Sequence, residues 1–271
     1  MLTFEFKKCF TSKKWLFTVL FGLSLSICHV VLNVLPLTKW LNDWQVDFFL
    51  TPHSAYLHWI GMDASTIWPT LLFILFPLLT VIPFSDTGYW DRDTGYCNQI
   101  VIRGARKDYW FFKYIVCFVS AASVVFITLT FDFLLTAQFL PLVRPEACTL
   151  FSGITSLKMW VNLFYQKPFL YVLAYILTDS VFLGGWACLS LGFSHKMNNR
   201  AQVLTFPLIA FLILYFVCNW LDINQYSPFA MLLPFQPANG IRISHFLLYL
   251  FVLFLLGPIQ YWICNIKKDL L

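Results

Sequence analysis

Long apolar runs alternate with short polar connections along the whole chain. Six runs approach the roughly 20 mostly apolar residues that carry a helix across a bilayer: 15–35, 65–84, 110–139, 168–193, 201–221 and 245–264. The pattern predicts an all-α, polytopic membrane protein of six spans, built as one domain over 1–271. The third and fourth runs exceed what a bilayer requires, so they are expected to tilt or to extend beyond the hydrocarbon. Pro69, Pro77 and Pro83 in the second run, Pro207 in the fifth and Pro258 in the sixth are tolerable if neighbouring helices satisfy the freed carbonyls. Ahead of the first run, residues 1–14 place Leu2, Phe6, Cys9 and Phe10 on one helical face and Lys7 and Lys8 off it. This predicts a short amphipathic helix lying in the cytoplasmic interface; a plain positive anchor is the simpler alternative. The first run is longer than the apolar core of a signal peptide and no small-x-small site follows, so a retained span is expected.

Composition supports lipid as the solvent. Of 271 residues, 59% are hydrophobic and 11% charged, with 30 Phe, 11 Trp and 12 Tyr; an ordinary soluble domain carries about 25% charged residues. The net charge of +5 is modest. It reads as loop charge facing lipid headgroups, with no nucleic-acid partner expected. With the amino terminus inside, only Lys39, Arg144, Lys158, Lys167 and Arg242 fall outside, against thirteen of the eighteen Lys and Arg within. That bias predicts both termini inside. The eight Cys are scattered without a C-x-x-C pair, so neither a disulfide framework nor a zinc site is implied.

The most polar stretch, 91–113, lies between the second and third runs and holds five Lys or Arg. Ser85, Asp86 and Gly88 are turn formers. Asp93 or Thr94 can cap a short helix running through Tyr96 and Asn98, Gly104 suits its end, and Asp108 suits the cap of the third span. Residues 85–109 are therefore expected to form a stiff cytoplasmic element between two bends.

The arrangement resembles the permease subunit of type-2 ABC exporters, of the small kind found in Gram-positive bacteria. Those chains have an interfacial elbow helix, six spans and a coupling helix in the first cytoplasmic loop. The likeness rests on "GYCNQIVIRGARKDYWFFK", through Gly95, Tyr96, Arg103, Tyr109 and Lys113. The resemblance implies that Asp93, Thr94, Gly95, Tyr96, Asn98, Arg103, Arg106 and Lys107 contact a partner. It assigns Phe6, Lys7, Lys8 and Phe10 to the elbow helix and 222–244 to a re-entrant outer segment. It implies two copies of an ABC ATP-binding subunit, a second permease subunit, identical or homologous, and location in the bacterial plasma membrane. No G-x-x-x-x-G-K-[ST] loop occurs, so no cofactor is expected on this chain, and ATP and Mg would sit on the partner. The cargo implied is amphipathic or hydrophobic, such as a lantibiotic-like antimicrobial peptide or a lipid-like compound. This chain is more aromatic than its likeness, and its first outer loop is longer and richer in Trp.

Asp132 and Asp179 fall inside the third and fourth runs, where an Asp costs about 2.5–3.5 kcal/mol and should face the bundle interior. They could line a substrate path or join the two halves of a transporter. The simpler reading is an interhelical contact with Thr130, Thr178 or a neighbouring span. Trp40, Trp44 and Trp59 could form an outer aromatic surface, although interfacial belts are the usual role of such Trp. His53 and His58 are too widely spaced and too few for a metal site, and none is expected. An intramembrane hydrolase or protease is the alternative function, and a scaffold or sensor subunit a third. The enzyme needs a base and a nucleophile at one depth, and the only spanning His residues are His29 and His245, near outer ends. No G-x-S-x-G or H-E-x-x-H motif occurs, so the chain itself is not expected to be an enzyme.

Overall fold

Ser12 separates the first two helices. Its extended backbone ends the first, and its hydroxyl accepts from the Trp15 N–H to cap the second. The computed structural model describes residues 2–39, 53–96, 106–145 and 158–266, with the side chains of 106–108, 195 and 257–266 left aside. Among the described residues every regular element is helical. They are α1 (Leu2–Phe10), α2 (Lys13–His29), α3 (Ala55–His58), α4 (Trp68–Leu79), α5 (Thr87–Asp93), α6 (Arg106–Phe139), α7 (Val161–Gln166), α8 (Pro168–Phe193), α9 (Arg200–Trp220), α10 (Pro228–Leu232) and α11 (Ile243–Ile266).

Four helices are long and apolar enough to cross a membrane: Lys13–Leu37, Tyr109–Phe139, Pro168–Phe193 and Arg200–Trp220. This is a multi-span membrane protein. The first of these continues α2 through a π-helical turn, Val30–Val34, into Leu35–Leu37. Pro36 has no N–H for the preceding turn, and the helix widens immediately before it. The second predicted run is shorter than expected. Its helix, α4, has 12 residues, about 18 Å, against roughly 30 Å of hydrocarbon. Pro77 weakens the ladder, Thr80 turns its hydroxyl back to the Phe76 carbonyl at 2.8 Å, and turns carry the chain to Asp86. In α11, Ile243–Leu256 is the apolar stretch described with side chains.

The centre of the bundle is α8, packed between α6 and α11. Its residues from Phe182 to Gly192 are all buried. Small residues permit this. A Cβ on Gly184 would lie 2.9 Å from the Phe118 ring and 3.1 Å from the Phe118 carbonyl, and one on Gly22 would lie 2.4 Å from Thr128 Oγ1. Aromatic side chains fill the rest, with Trp186 edge-on to Phe211 and stacked on Phe182. Outward faces are apolar too: Phe17, Leu20, Ile213, Phe216, Leu248 and Phe251 are exposed. In water such a surface would aggregate, whereas lipid solvates it.

α2 and α6 run the same way, with Trp15 beside Ser123 and His29 beside Asp132, and α8 runs opposite to α6, with Phe169 beside Phe133 and Gly184 beside Phe118. One end of the bundle gathers α1, α5 and the turn 194–199, and is hereafter the basic end. The far end gathers 53–67, 140–145, α7 and 222–242.

Candidate functional site

At the basic end, α5 is pinned on three sides, by two buried carboxylates and by hydrogen bonds to the turn 194–199. Its first turn and the residue before it carry Asp86, which accepts from Lys14 Nζ at 2.7 Å and pairs with Arg200 Nε at 2.6 Å. One carboxylate thus joins the starts of α2 and α9. Asp91, one turn further on, is buried and bonded to both Lys113 Nζ and the Tyr109 hydroxyl of α6. Lys8 of α1 approaches the same carboxylate at 3.7 Å. Lys113 also donates to the Thr87 carbonyl at 3.2 Å and lies over the rings of Phe84, Tyr109 and Trp110. On the third side, Arg92 donates to the Met197 carbonyl at 2.8 Å and Tyr89 to the Asn198 carbonyl at 2.9 Å. Gly88 fits because a Cβ there would lie 2.6 Å from Ser194 Oγ.

The outer face of α5 is left uncovered. Trp90 is 54% exposed, and Asp93 and Thr94 are exposed beside it. Phe4, Lys8, Trp90, Asp91, Thr94 and Tyr96 line a groove of about 430 Å³ between α1 and α5. Lys8 reaches over the Tyr96 ring there, 5.6 Å from its centroid.

The sequence-derived site is placed as follows. The amphipathic helix is present as α1, with Phe6 and Phe10 stacked 6.0 Å apart against α6 neighbours and Lys7 and Lys8 exposed. Asp93 and Thr94 do not start a helix; they end α5. Thr94 returns its hydroxyl to the Trp90 carbonyl at 2.9 Å, and Gly95, at φ +70°, makes the left-handed turn that closes it. Helical backbone resumes at Tyr96. Asn98, Arg103, Trp40 and Trp44 lie outside the described residues, as do the side chains of Arg106 and Lys107. Asp108 is not the cap of α6, which already runs from Arg106.

Glu5, Asp86 and Asp91 were missed by sequence reasoning as elements of this node. Glu5 was the hardest to find: it is buried in α1, and both its carboxylate oxygens lack a hydrogen-bond partner among the described residues. Nearby, burial pushes the Cys9 thiol up to about 12, against a weaker opposing hydrogen bond with Ser120. Cys9 is therefore an inert packing residue.

A second polar cluster occupies the far end. His29 Nδ1 lies 3.0 Å from Asp132 Oδ1, and its Nε2 lies 3.5 Å from Asp63 Oδ2. The other oxygen of Asp132 accepts from the Ile60 N–H at 2.7 Å. Asp132 therefore makes an interhelical contact, and of the partners expected it is the neighbouring span, through His29, that provides it. Asp179 is buried, and its Oδ2 has no partner among the described residues; Thr178 bonds instead to the carbonyls of Ala174 and Tyr175. Trp59 is not part of an outer surface, since it is fully buried and edge-on to Phe133. No group of three or more His, Cys, Asp or Glu able to hold a metal ion occurs among the described residues. His29 is thus bonded through Nδ1, while Nε2 makes no hydrogen bond among the described residues and only faces Asp63.

No family model matches the chain, and no curated protein or solved structure is significantly similar to it.

Proposed function

We propose that this chain is the permease subunit of an ATP-driven exporter of the type-2 ABC class, moving an amphipathic or hydrophobic molecule out of the cell or its membrane. One observation carries this reading: α5 is a short helix tied through two buried carboxylates, Asp86 and Asp91, to α1, α2, α6 and α9, with an uncovered face bearing Trp90. Of these pairs only Asp91 with Lys113 is buried on both sides, and breaking such a pair leaves an uncompensated charge, so the pair fixes where α5 sits on α6. A helix held at so many points moves its neighbours when it is pushed. An exposed Trp beside polar groups is the usual composition of an energetic centre in a protein interface.

The force comes from a partner. Two ATP-binding subunits would hold ATP and Mg, and each would take one α5 face in a cleft. A second permease copy, identical or homologous, completes the pathway. The segment 222–242 supports the same reading. It buries Pro228, Met231, Leu232 and Leu233 in the bundle, as a re-entrant element on the outer side would. In this topology the basic end is cytoplasmic, and the chain sits in the plasma membrane.

The test is purification of the full chain from its native membranes, followed by identification of co-purifying proteins and ATPase assay. The expected result is a partner with a G-x-x-x-x-G-K-[ST] loop and vanadate-sensitive hydrolysis. Trp90→Ala combined with Asp93→Ala should lose that partner while the chain stays folded. Recovery of a folded chain with no nucleotidase, or retention of the partner by the double variant, would reject the docking assignment.

A further inference from the structure

Two carboxylates face one imidazole at the far end, and their donor requirements do not match a neutral ring. Asp132 Oδ1 lies 3.0 Å from His29 Nδ1 and Asp63 Oδ2 lies 3.5 Å from Nε2; all three side chains are buried. A neutral imidazole has one N–H, and an imidazolium has two. With both carboxylates ionised, only the imidazolium turns an N–H toward each, as a hydrogen bond to Asp132 and a longer ion pair to Asp63, whose other oxygen accepts from Ser65. Asp63 is itself kept ionised: burial pushes its carboxyl up, but hydrogen bonds with His29 and Ser65 outweigh this and hold it below its ordinary 3.8.

Among the described residues the surroundings supply no other cation for this pair. Around His29, α6 contributes Asp132, the segment after α3 contributes Asp63, and α3 contributes His58, whose pKa burial holds below 6.5. The apolar α4, packed on α2, has no titratable side chain. Arg144 acts on Tyr56 at the rim.

We propose that Asp63, His29 and Asp132 form a proton-binding latch, which holds residues 59–67 against α2 and α6 and opens when the proton leaves. The held segment reaches the latch at two points: Asp63 through its side chain and Ile60 through its N–H on Asp132 Oδ2, 2.7 Å away. The π-helical turn beginning at Val30, directly after His29, gives the helix a local widening where the ring must turn. A histidine pair would carry the proton toward the surface. His53, half-buried at the surface, meets His58 at 2.9 Å, and His58 lies within electrostatic reach of Asp63. Beyond His29 the route stops, because the remaining oxygen of Asp132 is used by a backbone amide. The arrangement stores a proton and does not conduct one. This inference is independent of transport and of any partner.

The experiment is hydrogen exchange, read by mass spectrometry, on the full chain in lipid nanodiscs from about pH 6 to about pH 10, corrected for intrinsic rates. The peptide 57–66 contains the Ile60 amide, and a peptide from α8 serves as control. Expected for the native chain is strong protection of 57–66 at the lower pH and a loss of at least about tenfold at the upper, with α8 unchanged. His29→Gln should give weak protection of 57–66 and no pH dependence. Asp63→Asn removes the need for a second N–H, so protection should persist across the range and the pH dependence should vanish. A flat native profile would overturn the latch, as would a native-like pH dependence in Asp63→Asn. The second variant decides the matter if His29→Gln fails to fold.

Discussion

Lys113 places its ammonium on the carboxylate of Asp91, and neither group is open to solvent. The pair joins the short helix α5 to the long helix α6 at a depth where neither charge could stand alone. Lys113→Met would leave Asp91 with only Tyr109 and the more distant Lys8, at an expected cost of about 3–5 kcal/mol. The measurement is thermal unfolding followed by Trp fluorescence. Lys113→Met with Asp91→Asn should lose less than the sum of the two single variants, since no unpaired charge remains.

Stability should fall on acidification in two steps. His53 and His58 are both held below the ordinary imidazole value of 6.5, chiefly by burial. Below that value the unfolded chain binds more protons than the folded one. The contribution is therefore complete above pH 6.5 and declines as pH drops through it toward the folded values. Asp63 is also depressed, so its contribution is present above 3.8 and is lost as pH falls through its lower folded value. Melting temperature against pH checks both steps, and His53→Gln with His58→Gln should flatten only the first.

Gln236 ties the segment before α11 to the bundle. Its amide donates to the Tyr175 hydroxyl at 2.6 Å and to the Met159 carbonyl at 3.0 Å, while its oxygen accepts from the Met159 N–H at 2.7 Å. Its backbone is left-handed, at φ +48°. Gln236→Ala removes these bonds and keeps the strain. An expected loss of about 2–4 kcal/mol follows from buried partners left unpaired. Limited proteolysis should then cut within 222–242 before the long helices. Gln236→Gly relieves the strain and should lose less.

Gly184 sets the approach of α8 to α6. Gly184→Val would drive methyl groups into the Phe118 ring and carbonyl, for an expected loss of about 1–3 kcal/mol. Gly185→Ala meets Leu253 at 3.5 Å and Leu250 at 3.9 Å, ordinary contacts, and should be close to neutral. The two melting temperatures side by side are the check.

Some of the site was legible along the chain. Polar residues gathered in one connection marked the basic end, and the spacing of Leu2, Phe6, Cys9 and Phe10 marked α1. Lys113, inside an apolar run, was a visible sign that a carboxylate must be near. Which carboxylate answered it was not visible, because Asp86, Asp91 and Asp93 lie within one short stretch and only helix phase separates them. Phase turns Asp91 inward and leaves Asp93 exposed. His29 and Asp132 are 103 residues apart, so no local pattern could join them.

Amino-acid order alone determined the helical class and the lipid environment. Runs this apolar bury enough surface, and satisfy enough backbone within one helix, to settle both without any long-range contact. It did not determine how far each run stays helical, as α4 shows, because a proline is tolerated or not according to its neighbours. Only tertiary structure decided which charges meet, since the energy of an ion pair in a low-dielectric interior depends on distances that packing sets and spacing along the chain does not.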